Sequence, residues 1–209
     1  MTTVLQPSLL DDPATTRLGR LAGRVQRTEL GSGAWVDLLP GWVEGADPLF
    51  ERLIGSVAWH EERRQMYDRV VEVPRLLSFY DEGDALPDPV LAQAREVLST
   101  HYRRELGEPF RTTGLCFYRD GRDSVAWHGD RIGRGGHEDT VVAILSLGAP
   151  RPLPLRPRGG GDSLRFPLGH GDLLVMGGSC QRTWEHAIPK TTRAVGPRIS
   201  VQLRPRGVR

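Results

Sequence analysis

The chain has 209 residues and a mass of 23.2 kDa, is 38% hydrophobic and 26% charged, and has a mean hydropathy of −0.37, which is typical of a soluble globular domain. Its longest apolar run, from Thr140 to Pro150, is far shorter than the ~18 residues of a membrane span. The N-terminus lacks the basic start and apolar stretch of a signal peptide, and neither Cys116 nor Cys180 lies in a CxxC zinc spacing. These features exclude membrane-spanning, disulfide-rich secreted and zinc-finger proteins, and we expect an intracellular, cytoplasmic protein with reduced thiols.

The charge is distributed unevenly, although the net charge is only +2. Residues 1–150 contain 17 Lys and Arg against 23 Asp and Glu, whereas residues 151–209 contain 11 against 3. A basic C-terminal third favours contact with a polyanion such as nucleic acid, single-stranded or with unpaired bases. The simpler interpretation is a surface of solvated arginines. Nothing in the pattern demands more than a monomer.

The N-terminal region predicts a loosely ordered segment followed by a hairpin. Residues 1–22 show no clear periodicity, so we expect one domain over residues 23–209. Val25–Leu30 and Ala34–Leu38 flank a Gly-Ser-Gly turn, which is the pattern of a β-hairpin.

Two helices follow, and each is expected to begin with an Asp N-cap and a Pro in the first turn. The caps are Asp47 and Asp88, and Gly107 is expected to end the second helix. His60 and His101 fall in regions that we expect to be helical. We assign these helices a packing role.

From about residue 112 the pattern changes to short strands separated by turns. The predicted strands are Thr113–Arg119, Ser124–His128, Thr140–Leu147, Pro152–Pro157, Ser163–Leu168, Asp172–Met176, Trp184–Ile188 and Arg198–Leu203. Eight short strands at this spacing favour a β-sandwich or jelly roll over residues 112–205, with flanking helices and an N-terminal α/β extension.

One group of residues has the spacing of a metal site. His128 and Asp130 are two residues apart at a strand end, so we expect both side chains on one face. His186 lies 58 residues further on, in another predicted strand. Two histidines and one carboxylate form the facial triad of non-haem Fe(II) oxygenases, which leaves open coordination positions.

A second His-x-Asp pair competes with the first. His170 and Asp172 have the same spacing, but only 16 residues and one strand separate His170 from His186. We therefore interpret His170 as a turn residue and Asp172 as the start of a strand. His137 lies in a glycine-rich loop and is interpreted as solvated.

Two arginines on the last strand suit an anionic cosubstrate. Arg198 and Arg204 are six residues apart, an even number, so both face the same side of the strand. A guanidinium pairs with a carboxylate through two hydrogen bonds, as the far end of a dicarboxylic ligand would require.

Together these landmarks resemble the AlkB family of Fe(II)- and 2-oxoglutarate-dependent dioxygenases over about 130 residues. The matching segments are Val73-Pro74-Arg75 with Tyr80, Tyr118-Arg119-Asp120-Gly121, His128-Gly129-Asp130, His170 to Met176, Trp184-Glu185-His186, and the Arg198 to Arg204 ending. The resemblance implies a double-stranded β-helix, that is, a jelly roll. It also implies oxidative demethylation of N-alkylated bases such as 1-methyladenine and 3-methylcytosine in DNA or RNA, with release of succinate, CO2 and formaldehyde.

The resemblance also assigns roles to individual residues. His128, Asp130 and His186 would hold Fe(II), and Arg198 would pair with the distal carboxylate of 2-oxoglutarate. Tyr118 would donate a hydrogen bond to that carboxylate. Arg204 would lie near the other end of the cosubstrate, and Gln202 would line its pocket where a threonine is common.

The sequence departs from the family pattern mainly on the substrate side. Cys116 stands where an asparagine usually touches 2-oxoglutarate, and Arg131 stands where acidic residues often follow the metal pair. The lid aromatics that stack on the base are not evident. The candidate substrate contacts are Tyr67, Arg75, Tyr80, Trp127 and Arg131.

These departures leave two other hypotheses. A dioxygenase of the same fold could hydroxylate a small molecule or a protein side chain, and the missing base-recognition features favour it. A non-catalytic jelly-roll binding module would need a dead metal site, and the intact triad with both arginines argues against it.

Overall fold

The computed structural model describes residues 15–66 and 69–208, and these are mainly β structure. The strands, in chain order, are β1 (Arg17–Leu18), β2 (Gln26–Gly31), β3 (Ala34–Leu39), β4 (Val43–Glu44), β5 (His60–Met66), β6 (Arg69–Tyr80), β7 (Thr112–Tyr118), β8 (Val125–His128), β9 (Val142–Gly148), β10 (Leu153–Pro157), β11 (Leu164–Phe166), β12 (Asp172–Gly178), β13 (Trp184–Ile188) and β14 (Arg198–Arg204).

The helices are short and lie mostly outside the β core. They are α1 (Ala46–Ser56), α2 (Pro89–His101), α3 (Arg103–Leu106) and α4 (Cys180–Thr183), with one 3-10 turn at Arg134–Gly136. Within the described ranges, no helix has the length and apolar character needed to cross a membrane.

Two antiparallel sheets form the core of the described part of the chain. The larger has eight strands in the order β2-β3-β12-β9-β14-β7-β6-β5, and the smaller has four in the order β11-β10-β13-β8. Strands β1 and β4 form a separate pair. This arrangement confirms a jelly-roll core with flanking helices.

Side-chain alternation divides the core into two layers. On β14, Ile199, Val201 and Leu203 pack into the cluster that includes the helices. Arg198 and Gln202 alternate with these residues along the strand and therefore face the smaller sheet. A second apolar cluster lies between the two sheets on this side. The inner face of the larger sheet thus carries polar residues on an otherwise apolar wall, and this is where a ligand pocket can form.

All eight predicted strands of the C-terminal half are confirmed, with ends shifted by no more than two residues. The N-terminal hairpin is confirmed as β2 and β3. Asp88 also caps α2 as predicted, because its carboxylate accepts a hydrogen bond from the Val90 N–H at 2.9 Å.

The first helix begins earlier than predicted. Its N-cap is Gly45, not Asp47, and α1 starts at Ala46. Gly45 has a φ of 63°, and a Cβ there would lie 2.9 Å from the Thr15 carbonyl oxygen. The left-handed backbone and this close contact decide where the helix begins, and Asp47 lies in its first turn.

Two described parts of the N-terminal region differ from the sequence-based expectations. Within residues 15–22, which we expected to be loosely ordered, Arg17–Leu18 pairs with β4 and the indole N–H of Trp42 donates to the Gly19 carbonyl at 2.7 Å. His60, expected in a helix, begins strand β5, which pairs with β6 as a long hairpin. The pairing of β6 with β7 attaches this hairpin to the larger sheet.

Candidate active site

The candidate metal centre lies on the smaller sheet. His128 on β8 is paired directly with His186 on β13, and their ring centres are 4.3 Å apart. Together with Asp130 they offer three ligand atoms within 4.8 Å of one another. Among the described residues, this is the set of His, Cys, Asp and Glu side chains that could hold a metal ion.

A local irregularity in β8 orients His128. The register between β8 and β13 shifts between His186 and Ile188, which is the mark of a bulge. Within it, Nδ1 of His128 lies 2.8 Å from the carbonyl oxygen of Ala126. A carbonyl can only accept, so Nδ1 carries the proton and Nε2 is left with a lone pair for a metal ion.

Asp130 reaches the centre by a different route from the one we expected. Strand β8 ends at His128, so Asp130 lies beyond the ladder and is placed by a turn rather than by strand alternation. A Cβ on Gly129 would lie 2.4 Å from the main-chain oxygen of Gln181. The turn therefore fits against α4 only because residue 129 is glycine.

The electrostatics keep these groups in the forms that bind metals. Burial raises the pKa of Asp130, but the charges of Arg204, His186 and His128 outweigh that effect and lower it to about 2. Burial and the neighbouring His128 lower the pKa of His186 to about 3. At neutral pH Asp130 is an anion and His186 is neutral, as metal coordination requires.

Arg204 lies at the metal end of the site. Its Nε donates to Oδ2 of Asp130 at 2.9 Å, and both side chains are largely buried. Arg198 lies six residues away on the same strand, so the two arginines mark opposite ends of the pocket wall.

Arg198 is a buried cation with an unpaired hydrogen-bond donor. It is only 1% exposed, and its Nε donates to Oγ of Ser146 at 3.1 Å. Its Nη1 has no hydrogen-bond partner among the described residues. Burial lowers the pKa of Arg198, so a guanidinium held there without a counter-ion is unfavourable. A ligand carboxylate would supply both the missing acceptor and the missing charge.

Two further buried residues surround this donor. The ring of Tyr118 is centred 5.5 Å from the guanidinium carbon of Arg198, and burial raises the pKa of Tyr118, so its hydroxyl is a donor at neutral pH. Arg151 is 3% exposed and donates to main-chain oxygens of Asp120, Asp123 and Pro189. The pocket is therefore strongly electropositive.

Gln202 and Cys116 lie between the two arginines. The Gln202 amide donates to Oγ of Ser200 at 2.7 Å and to its carbonyl at 3.0 Å. The Cys116 thiol lies 3.7 Å from Oε1 of Gln202. Both residues face the pocket, and Cys116 occupies the wall with a weak donor in place of an amide.

The structure directs two of the predicted substrate contacts away from the triad. Tyr80 packs against the helix-side core cluster, because it pairs with Thr113 on the face opposite the pocket. Trp127 lies on the outer face of the smaller sheet, where the Arg156 guanidinium stacks 4.2 Å from its ring centre. Neither residue is placed to contact a substrate at the triad.

The other three candidates have different positions. Arg75 donates to the Ser124 carbonyl at 3.1 Å. Burial lowers the pKa of Arg75, whereas its neighbours Cys116 and Tyr118 raise it by more. Because these two neighbours lie on the wall of the candidate pocket, Arg75 borders that pocket. Arg131 is half-buried directly after Asp130. Tyr67 lies outside the described residues.

Four residues at or near the site are missing from the sequence-based expectations: Phe79, Ser146, Arg151 and Gln181. Phe79 is 42% exposed, and its ring lies 3.9 Å from the position of a Cβ on Gly114. Arg204 Nη1 lies 3.0 Å from that same position. The signal that could have found Phe79 is strand alternation. Phe79 and Arg75 are four residues apart on β6, so both side chains lie on the same face of the strand.

His170 has the structural role that we expected. Its Nδ1 accepts a hydrogen bond from the Gly148 N–H at 2.7 Å, and its Nε2 lies 3.2 Å from Asp47. It lies in a turn before β12 and is not part of the triad.

The sequence matches the model of the 2OG-Fe(II) oxygenase superfamily over residues 49–206. The chain therefore belongs to this superfamily, whose name states its cofactors, 2-oxoglutarate and Fe(II). The unpaired donor of Arg198 and the ionisation states at the triad fit those two groups.

Individual relatives confirm the resemblance to the AlkB family. The chain is 31% identical over 190 residues to human alpha-ketoglutarate-dependent dioxygenase alkB homolog 3, covering 81% of this chain and 65% of that protein. It is 26% identical over 178 residues to human DNA oxidative demethylase ALKBH2, covering 76% and 68%. A solved structure of OsALKBH1 superposes with a TM-score of 0.57 at 15% identity, covering 85% of this chain and all of that one, and shows the same fold. The chain spans 65% of the length of alkB homolog 3.

Proposed function

We propose that this protein is an Fe(II)- and 2-oxoglutarate-dependent dioxygenase that oxidatively demethylates N-alkylated bases in DNA or RNA. The observation that carries the proposal is the combination of a preformed His-Asp-His group with the unpaired buried donor of Arg198 in one pocket. A binding module without chemistry would have no need for either feature.

His128, Asp130 and His186 would hold the metal ion, and Arg198 with Tyr118 would bind the distal carboxylate of 2-oxoglutarate. Gln202 and Cys116 would line the pocket between them. When bound, Fe(II) and 2-oxoglutarate supply the activation of O2, with 2-oxoglutarate becoming succinate and CO2 and the oxidised methyl group leaving as formaldehyde.

The chain's own contribution is orientation and charge. Arg204 holds the Asp130 carboxylate ionised and in place through its 2.9 Å contact. The carbonyl of Ala126 fixes the His128 tautomer. The apolar residues between the two sheets exclude water from the pocket wall, which strengthens the Arg198–carboxylate interaction.

A nucleic acid substrate is supported by two observations. Relatives at 26–32% identity include proteins named as DNA oxidative demethylases. In addition, Phe79 offers an exposed aromatic side chain near Arg204, and Arg204 contacts the triad residue Asp130. We infer that Phe79, rather than Tyr80 or Trp127, is the face on which a base stacks, and that single-stranded or unpaired bases are preferred.

A second function is favoured by a specific observation. Arg131, a cation, directly follows Asp130, and 1-methyladenine and 3-methylcytosine are themselves cationic. The family resemblance implies that this position lies near the base, and like charges repel at short range, so a cation here would disfavour those bases. The same site could instead hydroxylate a small molecule or a protein side chain.

Succinate formation tests the function directly. The purified protein is incubated with Fe(II), 2-oxoglutarate and O2, with single-stranded DNA carrying 1-methyladenine or 3-methylcytosine or with its unmethylated counterpart. We expect the methylated strand to stimulate succinate and formaldehyde formation. Succinate production that ignores methylation would instead support the second function.

Two variants test the assignment of the triad. Asp130→Ala removes a ligand and is expected to abolish turnover and metal binding. His170→Ala changes the competing His-x-Asp pair, which lies in a turn against Gly148, and is expected to keep metal binding intact. Metal binding that survives Asp130→Ala but not His170→Ala would reverse the assignment.

A further inference from the structure

Gln181 is a buried residue on α4. It lies between the turn that carries Asp130 and strand β13, which carries His186. It is only 1% exposed, so its polar side chain needs hydrogen-bond partners inside the protein. We infer that Gln181 is a positioning residue that fixes the Asp130 turn for metal binding, an inference that rests on the proposed function.

The contacts of Gln181 converge on the turn that carries Asp130. Its side-chain Oε1 accepts a hydrogen bond from the Asp130 N–H at 2.8 Å, and this bond is buried. Its main-chain oxygen faces Gly129, where a Cβ would lie at 2.4 Å. Both the side chain and the backbone of Gln181 therefore define the path of the turn.

Gln181 also connects the turn to the rest of the centre. Helix α4 runs directly into β13, which carries His186 five residues after Gln181. The amide nitrogen lies 3.8 Å from Sδ of Met176 on β12, a strand of the larger sheet. One side chain thus contacts the larger sheet and the Asp130 turn, and its own helix leads to the third ligand.

The need for such a contact follows from the position of Asp130 outside the β ladder. Strand pairing fixes His128 and His186 opposite each other, but it does not extend to Asp130. Arg204 holds the carboxylate end of Asp130, and Gln181 holds its backbone end. Two points of attachment define the direction of the side chain, whereas one would leave it free to rotate.

Loss of the Gln181 side-chain amide is therefore expected mainly to lower the affinity of the protein for a metal ion. Without its acceptor, the Asp130 N–H would be buried and unpaired, and the turn could relax to expose it to water. Binding a metal ion would then have to restore the original turn. Residues that orient metal ligands typically change metal affinity by about 10- to 100-fold when they are mutated.

The test compares Co(II) binding by the wild type and three variants, measured by visible absorption. Gln181→Met keeps the volume and removes the amide, whereas Gln181→Glu keeps an oxygen that can accept the Asp130 N–H. Thr183→Val is the matched control, because the Thr183 hydroxyl donates to the carbonyl of Ser179, the N-cap residue of the same helix. Urea unfolding of each metal-free variant measures stability separately.

We expect Gln181→Met to weaken Co(II) binding by about tenfold or more, with Gln181→Glu closer to the wild type and Thr183→Val within about twofold of it. Equal affinities for Gln181→Met and wild type would overturn the inference. So would a loss in Thr183→Val as large as that in Gln181→Met, since the effect would then not depend on the Gln181 amide. A wild-type protein that binds no Co(II) would refute the proposed function itself, a separate result.

Discussion

The buried surroundings of Arg198 indicate the chemistry of the ligand that this side chain would bind. Its environment is apolar or already hydrogen-bonded, and the nearby Arg151 adds a second positive charge that lowers the pKa of Arg198 further. A buried guanidinium with an unpaired donor is destabilising unless an anion completes it. The pocket therefore suits a dicarboxylate, and the free energy of binding comes partly from relieving this unfavourable charge.

Replacement of Arg198 by Met is expected to weaken 2-oxoglutarate binding selectively. A hydrogen bond to a charged partner contributes about 1.5–3 kcal/mol, so the affinity should fall by roughly tenfold or more. Calorimetric titration of 2-oxoglutarate into the Mn(II)-loaded protein measures this. Arg165→Met, on exposed β11, is the control for loss of a positive charge. Equal affinities in the two variants would contradict the role of Arg198.

Replacement of Phe79 is expected to weaken binding of the nucleic acid substrate and to leave binding of 2-oxoglutarate unchanged. Stacking of a base on an aromatic ring contributes about 1–3 kcal/mol, so Phe79→Ala should raise the KM for methylated single strands by at least about fivefold. Phe79→Tyr keeps the ring and should behave like the wild type. Tyr80→Ala, on the opposite face, tests specificity, and a larger effect there would show that the wrong face was assigned.

The turn that follows β8 and packs against α4 depends on a residue with no side chain. Gly129 allows the backbone of Gln181 to approach closely, and the approach brings Asp130 into hydrogen bonding with the Gln181 amide. His128-Gly129-Asp130 is therefore best understood as a turn motif docked on a short helix. Its glycine is as necessary for the geometry as its two ligands.

Gly129→Ala is expected to destabilise this turn and to weaken metal binding. The added methyl would lie 2.4 Å from a main-chain oxygen, which cannot move without shifting α4. Such overpacking costs about 1–3 kcal/mol in unfolding free energy.

Gly55→Ala on α1 is the matched control, because nothing lies within 4 Å of a Cβ there. Alanine is the better helix former, so this variant should gain up to about 1 kcal/mol. Urea unfolding and Co(II) titration measure both variants. A Gly129→Ala protein with wild-type metal affinity would show that the turn tolerates a side chain.

The long β5–β6 hairpin makes the segment before the jelly roll part of the larger sheet. It extends the larger sheet beyond β7, so that Arg75 and Phe79 face the pocket while Tyr80 faces the helices. Elements outside the eight predicted strands therefore contribute part of the pocket wall.

Across the molecule, three of the eleven basic residues of the C-terminal third lie inside the protein or in the candidate pocket. Arg151 and Arg198 are buried, and Arg204 is paired with Asp130. Others are exposed on the surface, including Arg158, Arg165, Lys190 and Arg193. Under the proposed function, the basic third would contribute to cosubstrate binding as well as to any contact with a polyanion. The monomeric state and the cytoplasmic location remain predictions.

The metal-free protein is expected to lose stability as the pH falls. The unfolded chain protonates His186 near pH 6.5, whereas burial keeps it neutral in the folded protein until about pH 3. Between these values the unfolded state binds more protons, so the unfolding free energy decreases with decreasing pH. Asp130 adds to this effect only below about its ordinary value of 3.8.

Urea unfolding in the presence of a chelator, at values between about pH 7 and pH 4.5, checks this linkage. His186→Asn removes the titrating group and should show a shallower loss of stability over the same range. An identical pH dependence in both proteins would mean that His186 is not held neutral by burial.

Local patterns in the sequence are sufficient for the eight C-terminal strands, the choice of His128 over His170, and the shared face of Arg198 and Arg204. The choice of His128 rests on its separation of 58 residues from His186, against 16 for His170. The strands and the shared face of the two arginines rest on the two-residue period of a strand. The outward direction of Trp127 follows from the same rule, since it adjoins the inward-facing His128.

Other features depend on contacts between residues far apart in the chain. The face on which Tyr80 lies is set by the register of β6 against β7, and the role of Gln181 arises 51 residues from Asp130. The unpaired donor of Arg198 is buried on β14, which lies between β9 and β7 inside the larger sheet. Alternation and turn chemistry act within a few residues, so the sequence contains them directly, whereas packing between sheets decides which neighbours complete the site.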